Sequence, residues 1–159
     1  MARKGRESFL VVGVGHPGRG DDAAGLAVAR AVRKASPFAE VFESGFDAGP
    51  LLEGFSGREV VVLLDATEPA GSPGRIRRFD AMRAPLPADT FRSRETHAIG
   101  VVEAVERARL LGLLPGKKLV VVAIEGARFG YGEGLSPQVE KAIPEAARVA
   151  LAELPAAGV

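Results

Sequence analysis

The chain has 159 residues, 47% of them hydrophobic: the size of one ordinary domain with its own core, and too short for the two halves of a dinucleotide enzyme. Its 21 basic and 20 acidic side chains leave a net charge of +1, so no global field draws it to nucleic acid or to an anionic membrane. Without cysteine there is no disulfide, thiolate metal site or cysteine nucleophile, and any metal must be held by carboxylate, imidazole or backbone oxygen.

The basic start MARKGRES leads into an apolar run too short for a signal peptide or a membrane span. A soluble cytoplasmic protein forming one domain over residues 1–159 is expected. FLVVGVG from Phe9 is the first strand. A helix from Asp22 follows, with Ala24, Val28, Ala31 and Ala35 on one face and Ser36-Pro37 as its stop. EVFESG from Glu40 is a second, more polar strand suited to a sheet edge, and VVVLLDA from Val60 is a third. GRIRRF from Gly74 is a fourth, again polar. Roughly nine residues separate it from the third, too few for a parallel crossover, so it is predicted to run antiparallel. The segments DAMRAPLPADTFRSRE and GARFGYGEG read as mobile loops. Between them a helix from His97 carries Val101, Val105 and Ala108 on one face, and LVVVAIEG from Leu119 is the fifth strand. The last segment has two helix entries, at Ser136-Pro137 and at Pro144, with a final helix from Pro144 to Leu154. The three valine-rich runs lack alternation, which marks strands buried on both faces. The expected fold is a three-layer α/β/α sandwich around a mostly parallel, mixed five-stranded sheet.

In such a sheet ligands bind beyond the carboxyl ends of the parallel strands. Asp22 opens the helix after strand one, Asp65 ends strand three, and His97 opens the helix leading to strand five. Singly, each has a plain reading as helix cap, turn residue or surface histidine. Together, two carboxylates and an imidazole at one edge form a plausible open site for a divalent cation. Asp21 is the better candidate for a helix cap, which leaves Asp22 to be explained.

Gly13-x-Gly15-x-x-Gly18 also matches a dinucleotide-binding loop, and Glu43, 25 residues beyond Gly18, stands where a ribose-binding acid would. Electrostatics opposes that reading. A carboxylate about 4 Å from a phosphate charge costs on the order of 4 kcal/mol at an effective dielectric of about 20, and the loop supplies two, Asp21 and Asp22, with Arg19 offsetting part of one.

The chain resembles the hydrogenase maturation proteases, the endopeptidases that trim the C-terminal extension from the large subunit precursor of nickel-iron hydrogenases. The resemblance rests on the order and spacing of GVGHPGRGDDAAG, ESGFDAGPLL, VVVLLDATEPAGSPG, THAIG and YGEGLSPQVEKAIP. It implies that Asp22, Asp65 and His97 are the catalytic, metal-contacting trio. It implies further that the nickel belongs to the precursor partner, with no tightly bound metal of the enzyme's own. Four positions depart from the family pattern: His16 replaces an asparagine, Ala23 a glycine, and Glu125-Gly126 a Gln-Pro. His16 is either a fourth ligand or an incidental change. The loops 80–95 and 126–134 would clamp the peptide, with Arg83, Arg92 and Arg94 as candidate receptors for carboxylates or as solvated charges. The alternative function is a metal- or nucleotide-binding α/β module without peptidase activity. RNA binding through Arg75, Arg77, Arg78, Arg83, Arg92 and Arg94 ranks last, for want of interleaved aromatics beyond Phe79 and Phe91.

Overall fold

A computed structural model describes residues 8–45, 51–91 and 99–155. Five strands form one sheet: β1 (Phe9–Val14), β2 (Glu40–Ser44), β3 (Val60–Thr67), β4 (Ile76–Asp80) and β5 (Lys118–Glu125), in the order β2-β1-β3-β5-β4. The first four in that order are parallel, and β4 runs antiparallel to β5. The valine-rich strands β1, β3 and β5 therefore take the centre and the polar β2 and β4 the edges, as their compositions require.

Alternation along the strands divides the core between two faces. Leu10, Val12, Leu63, Val121 and Ala123 pack with Phe55 of α2 (Leu52–Phe55) and with Val101, Ala104 and Val105 of α3 (Val101–Leu111). Val11, Val62, Leu64, Val122 and Ile124 pack with Val28, Ala29 and Val32 of α1 (Ala24–Ala35) and with Val139, Ala146 and Ala150 of α4 (Pro137–Leu151). The result is the three-layer arrangement expected, with the short α2 as an addition that periodicity did not reveal.

Glycine sets how closely α1 lies on the sheet. A Cβ on Gly25 would stand 2.3 Å from the Leu64 carbonyl oxygen and 2.6 Å from that of Val14. One on Gly13 would stand 2.5 Å from the Gly25 oxygen. The helix backbone thus rests directly on β1 and β3, which fixes where the turn before it must lie.

Three helix boundaries differ from expectation, the first being that α3 starts at Val101 behind an extended Gly100 and not at position 97. Asp22 does not open α1 but sits in a 3-10 turn, Gly20–Ala23, ahead of it. The final helix starts at Pro137, with Pro144 inside it rather than at its entry. An interior proline costs about 3 kcal/mol. Val139 before it and Ala146, Ala147 and Ala150 after it are all buried on the same sheet face. Their burial contributes on the order of 4 kcal/mol, which outweighs the proline. No helix among the described residues is long and apolar enough to cross a membrane.

Candidate functional site at the carboxyl edge of the sheet

The chain leaves β1 through Gly15, whose backbone passes so close to the 3-10 turn that a Cβ there would lie 1.9 Å from the Asp22 carbonyl oxygen. Only glycine permits that approach. The loop then folds back. The His16 N–H donates to Asp22 Oδ2 at 3.1 Å, and the turn carrying Asp22 packs on β3. Asp22 is 2% exposed, so its carboxylate belongs to a built loop and not to an open crevice, contrary to the sequence expectation.

Asp65 is likewise buried, at 1%, and its Oδ1 accepts from the Ala66 N–H at 2.9 Å. It does not end β3, which continues two residues to Thr67. By alternation it shares a face with Val61 and Leu63, the face covered by α3. Thr67 follows on that face, and among the described residues its buried Oγ1 has no hydrogen-bond partner. His97 lies outside the described residues, as do Arg92 and Arg94. Among the described residues no three His, Asp or Glu side chains gather into a metal-holding group. Asp22 and Asp65 are brought to the same carboxyl edge by β1 and β3, which pair in parallel.

Asp21, expected as a cap, makes no capping hydrogen bond on its own helix. Fully buried, it instead accepts from four donors in a distant segment: the N–H groups of Ala127 at 2.7 Å, Arg128 at 3.1 Å and Ser136 at 2.7 Å, and the Ser136 hydroxyl at 2.8 Å. Backbone bonds add to the join, from Asp21 N–H to the Arg128 oxygen, from Gly20 N–H to that of Glu133, and from Gly132 N–H to that of Gly18. The segment that reads as a mobile loop is therefore stapled to the Asp22 loop. It brings Tyr131 beside His16, ring centroids 6.1 Å apart and edge to face, and under the Arg19 guanidinium at 4.7 Å. The other loop is also anchored where described, with Leu86 and Phe91 buried and Phe91 bridging to Thr67.

The departures from the family pattern acquire physical reasons. His16 Nδ1 accepts from the Gly18 N–H at 3.0 Å, so the proton of the neutral ring sits on Nε2. A ring nitrogen bearing a proton is a donor and not a metal ligand, which disfavours His16 as a fourth ligand. Glu125 is buried at 1% and its Oε2 accepts from Ala70 N–H at 3.0 Å and Ser72 N–H at 2.6 Å, shaping the turn after β3. Gly126 leaves room for Phe129, whose ring would stand 2.3 Å from a Cβ there. Nothing in the structure explains Ala23.

The dinucleotide reading loses its parts. Glu43 is held by Arg30 at 2.7 Å and Arg33 at 3.1 Å, and the Arg30 guanidinium beside it, with help from Arg33, keeps its carboxyl below the ordinary carboxylate range. It is engaged before any ribose arrives. Gly18 is not at a close approach, since a Cβ there would meet only His16 ring atoms at ordinary contact. Of the arginines considered for nucleic acid, Arg78 is paired with Glu153, Arg77 lies over Phe79 at 5.5 Å, and Arg83 is 3.5 Å from Asp80.

Known proteins resemble the chain along nearly its whole length. Hydrogenase maturating endopeptidase HybD from Escherichia coli superposes with a TM-score of 0.77 at 25% identity, over 94% of this chain and 93% of that one. A second endopeptidase structure from Escherichia coli gives 0.78 at 25% identity, over 95% and 94%. The [NiFe] hydrogenase maturation protease HybD from Thermococcus kodakarensis shares the fold, with a TM-score of 0.69 at 21% identity, over 91% and 97%. No curated protein matches the sequence. The model of the hydrogenase maturation protease family matches residues 26–153. The chain belongs to that family and is a peptidase.

Proposed function

We propose that the chain, acting as one domain in the cytoplasm, removes the C-terminal extension from a nickel-loaded hydrogenase large subunit precursor and recognises the precursor's nickel. The observation that carries this reading is the pair of buried acids, Asp22 and Asp65, at the carboxyl edge of paired parallel strands in a chain of this family. Carboxylate oxygens are hard, anionic ligands, and two of them at one sheet edge suit a divalent ion presented by the substrate. Asp22, Asp65 and His97 are the proposed contacts to the substrate's nickel. Contact with all three fixes the neighbouring peptide bond against the edge, converting an encounter into an oriented attack. Water then adds to the carbonyl carbon, a carboxylate takes its proton, and the C–N bond breaks as the proton passes to the leaving amine.

The test is a gel assay of extension loss with nickel-loaded and nickel-free precursor. The loaded form should be cut and the nickel-free form should not. Asp22→Ala, Asp65→Ala and His97→Ala should each abolish cutting while far-ultraviolet circular dichroism stays native. Equal cleavage of both precursor forms, or full activity in two of the three variants, would refute the mechanism.

A further inference from the structure

Beside the Asp22 loop, at the carboxyl ends of β1 and β2, lies a cavity of about 230 Å³ lined by Gly15, Pro17, Leu26, Arg30, Glu43 and Gly45, among others. Gly15 and Pro17 flank His16, whose N–H holds Asp22. Adjacent Cα atoms are about 3.8 Å apart, so the cavity lies within a residue or two of chain from the Asp22 carboxylate. Besides the charged Arg30 and Glu43, its lining is mainly apolar, with Pro17, Leu26 and two glycines beside the single hydroxyl residue Ser44. Its mouth carries one carboxylate and one guanidinium already joined to each other. Arg30 Nε and Nη2 both meet Glu43 Oε1, and Arg33 takes Oε2, so the acid is fully neutralised with one positive charge in excess. Among the described residues Arg30 Nη1 has no partner, and Arg30 lines the cavity.

We infer that this cavity is a specificity pocket that holds an aliphatic side chain of the protein substrate, one or two residues from the scissile bond, while Arg30 Nη1 donates to a substrate backbone carbonyl. The inference rests on the peptidase reading above. Volume and lining suit a residue of leucine or methionine size. The excess positive charge excludes lysine and arginine, whose ammonium or guanidinium would meet Arg30 and Arg33 with no further carboxylate among the described lining residues to receive it. An acidic side chain is disfavoured by the apolar interior, which would strip its carboxylate of water.

Gly45 provides the test, because a Cβ built there meets nothing within 4 Å among the described residues. Gly45→Leu should fold normally and project into the cavity. Wild-type and Gly45→Leu enzymes would be assayed on nickel-loaded precursors in which the two residues on either side of the cleaved bond are replaced, one at a time, by Leu, Ala, Glu or Lys. At one of these positions the wild type should prefer Leu to Lys by about tenfold or more in kcat/KM. The filled variant should reverse the order of Leu and Ala there, with kcat on the Ala precursor near the wild-type value. An unchanged Leu-to-Ala ratio in a normally folded Gly45→Leu, or a wild-type preference for Glu or Lys at every position, would overturn the pocket. Failure of the wild type to cut any precursor would instead refute the peptidase reading on which the pocket rests.

Discussion

Replacing Asp21 with alanine should cost far more than the loss of a helix cap. The carboxylate is wholly buried and serves three backbone N–H groups and one hydroxyl. A buried donor left without its acceptor costs about 1–3 kcal/mol. The Ala127 and Arg128 bonds are only partly buried, so water can replace the acceptor there at the low end of that range, whereas the Ser136 N–H is fully enclosed. The sum is about 3–5 kcal/mol, a large fraction of the roughly 5–15 kcal/mol that holds a domain together. Asp21→Asn is the graded comparison. Oδ2 receives three of the four donors and Oδ1 only the Ser136 N–H, so an amide oriented with its oxygen at Oδ2 opposes a single N–H. Its cost should be about 2 kcal/mol. Urea unfolding followed by circular dichroism measures both, with the slope checked for constancy. An alanine variant within about 1 kcal/mol of wild type, or an asparagine variant no better than alanine, would refute the staple as the reason for Asp21.

Gly25→Ala should destabilise by about 3 kcal/mol or more, since its methyl must displace backbone oxygens of β1 and β3; thermal melting reads this directly. Arg78, assisted by Lys118, holds the Glu153 carboxyl below the ordinary carboxylate range. The stability it contributes is therefore present above about pH 4.3 and lost as pH falls through the lower folded value. Glu153→Gln should melt below wild type at neutral pH and converge with it in acid; a gap that persists at about pH 2 would exclude this linkage. His16→Asn should keep cleavage near the wild-type rate in the gel assay, because asparagine can accept the Gly18 N–H in the same way. A large loss of activity would reinstate His16 as a ligand.

Much of the architecture was legible because its signals are local. Unbroken valine runs marked the buried strands, and the short Pro- and Gly-rich link before β4 marked it as antiparallel. The site was legible only as chain positions. Asp22 and Asp65 reach the edge expected, yet their burial depends on how distant elements pack around that edge, which no window of sequence contains. Asp21 was misassigned for the same reason. An aspartate before a helix reads as a cap, and the donors that claim it lie more than a hundred residues away. Pro144 read as a helix entry because proline chemistry is local, while the burial that carries the helix through it is tertiary.

The Asp21 staple also bears on when the molecule becomes a peptidase during its own synthesis. Ser136 lies 115 residues after the aspartate it satisfies. At about 5–20 residues per second, a ribosome takes roughly 6–23 s to join the two. Until the end of that interval the growing chain carries Asp22 on a loop whose staple is incomplete, and for most of it β3 lacks its neighbour β5. Proteolytic competence thus arrives only with the final stretch of translation, and a product truncated before Ser136 carries the site's acids without the backing that shapes their loop.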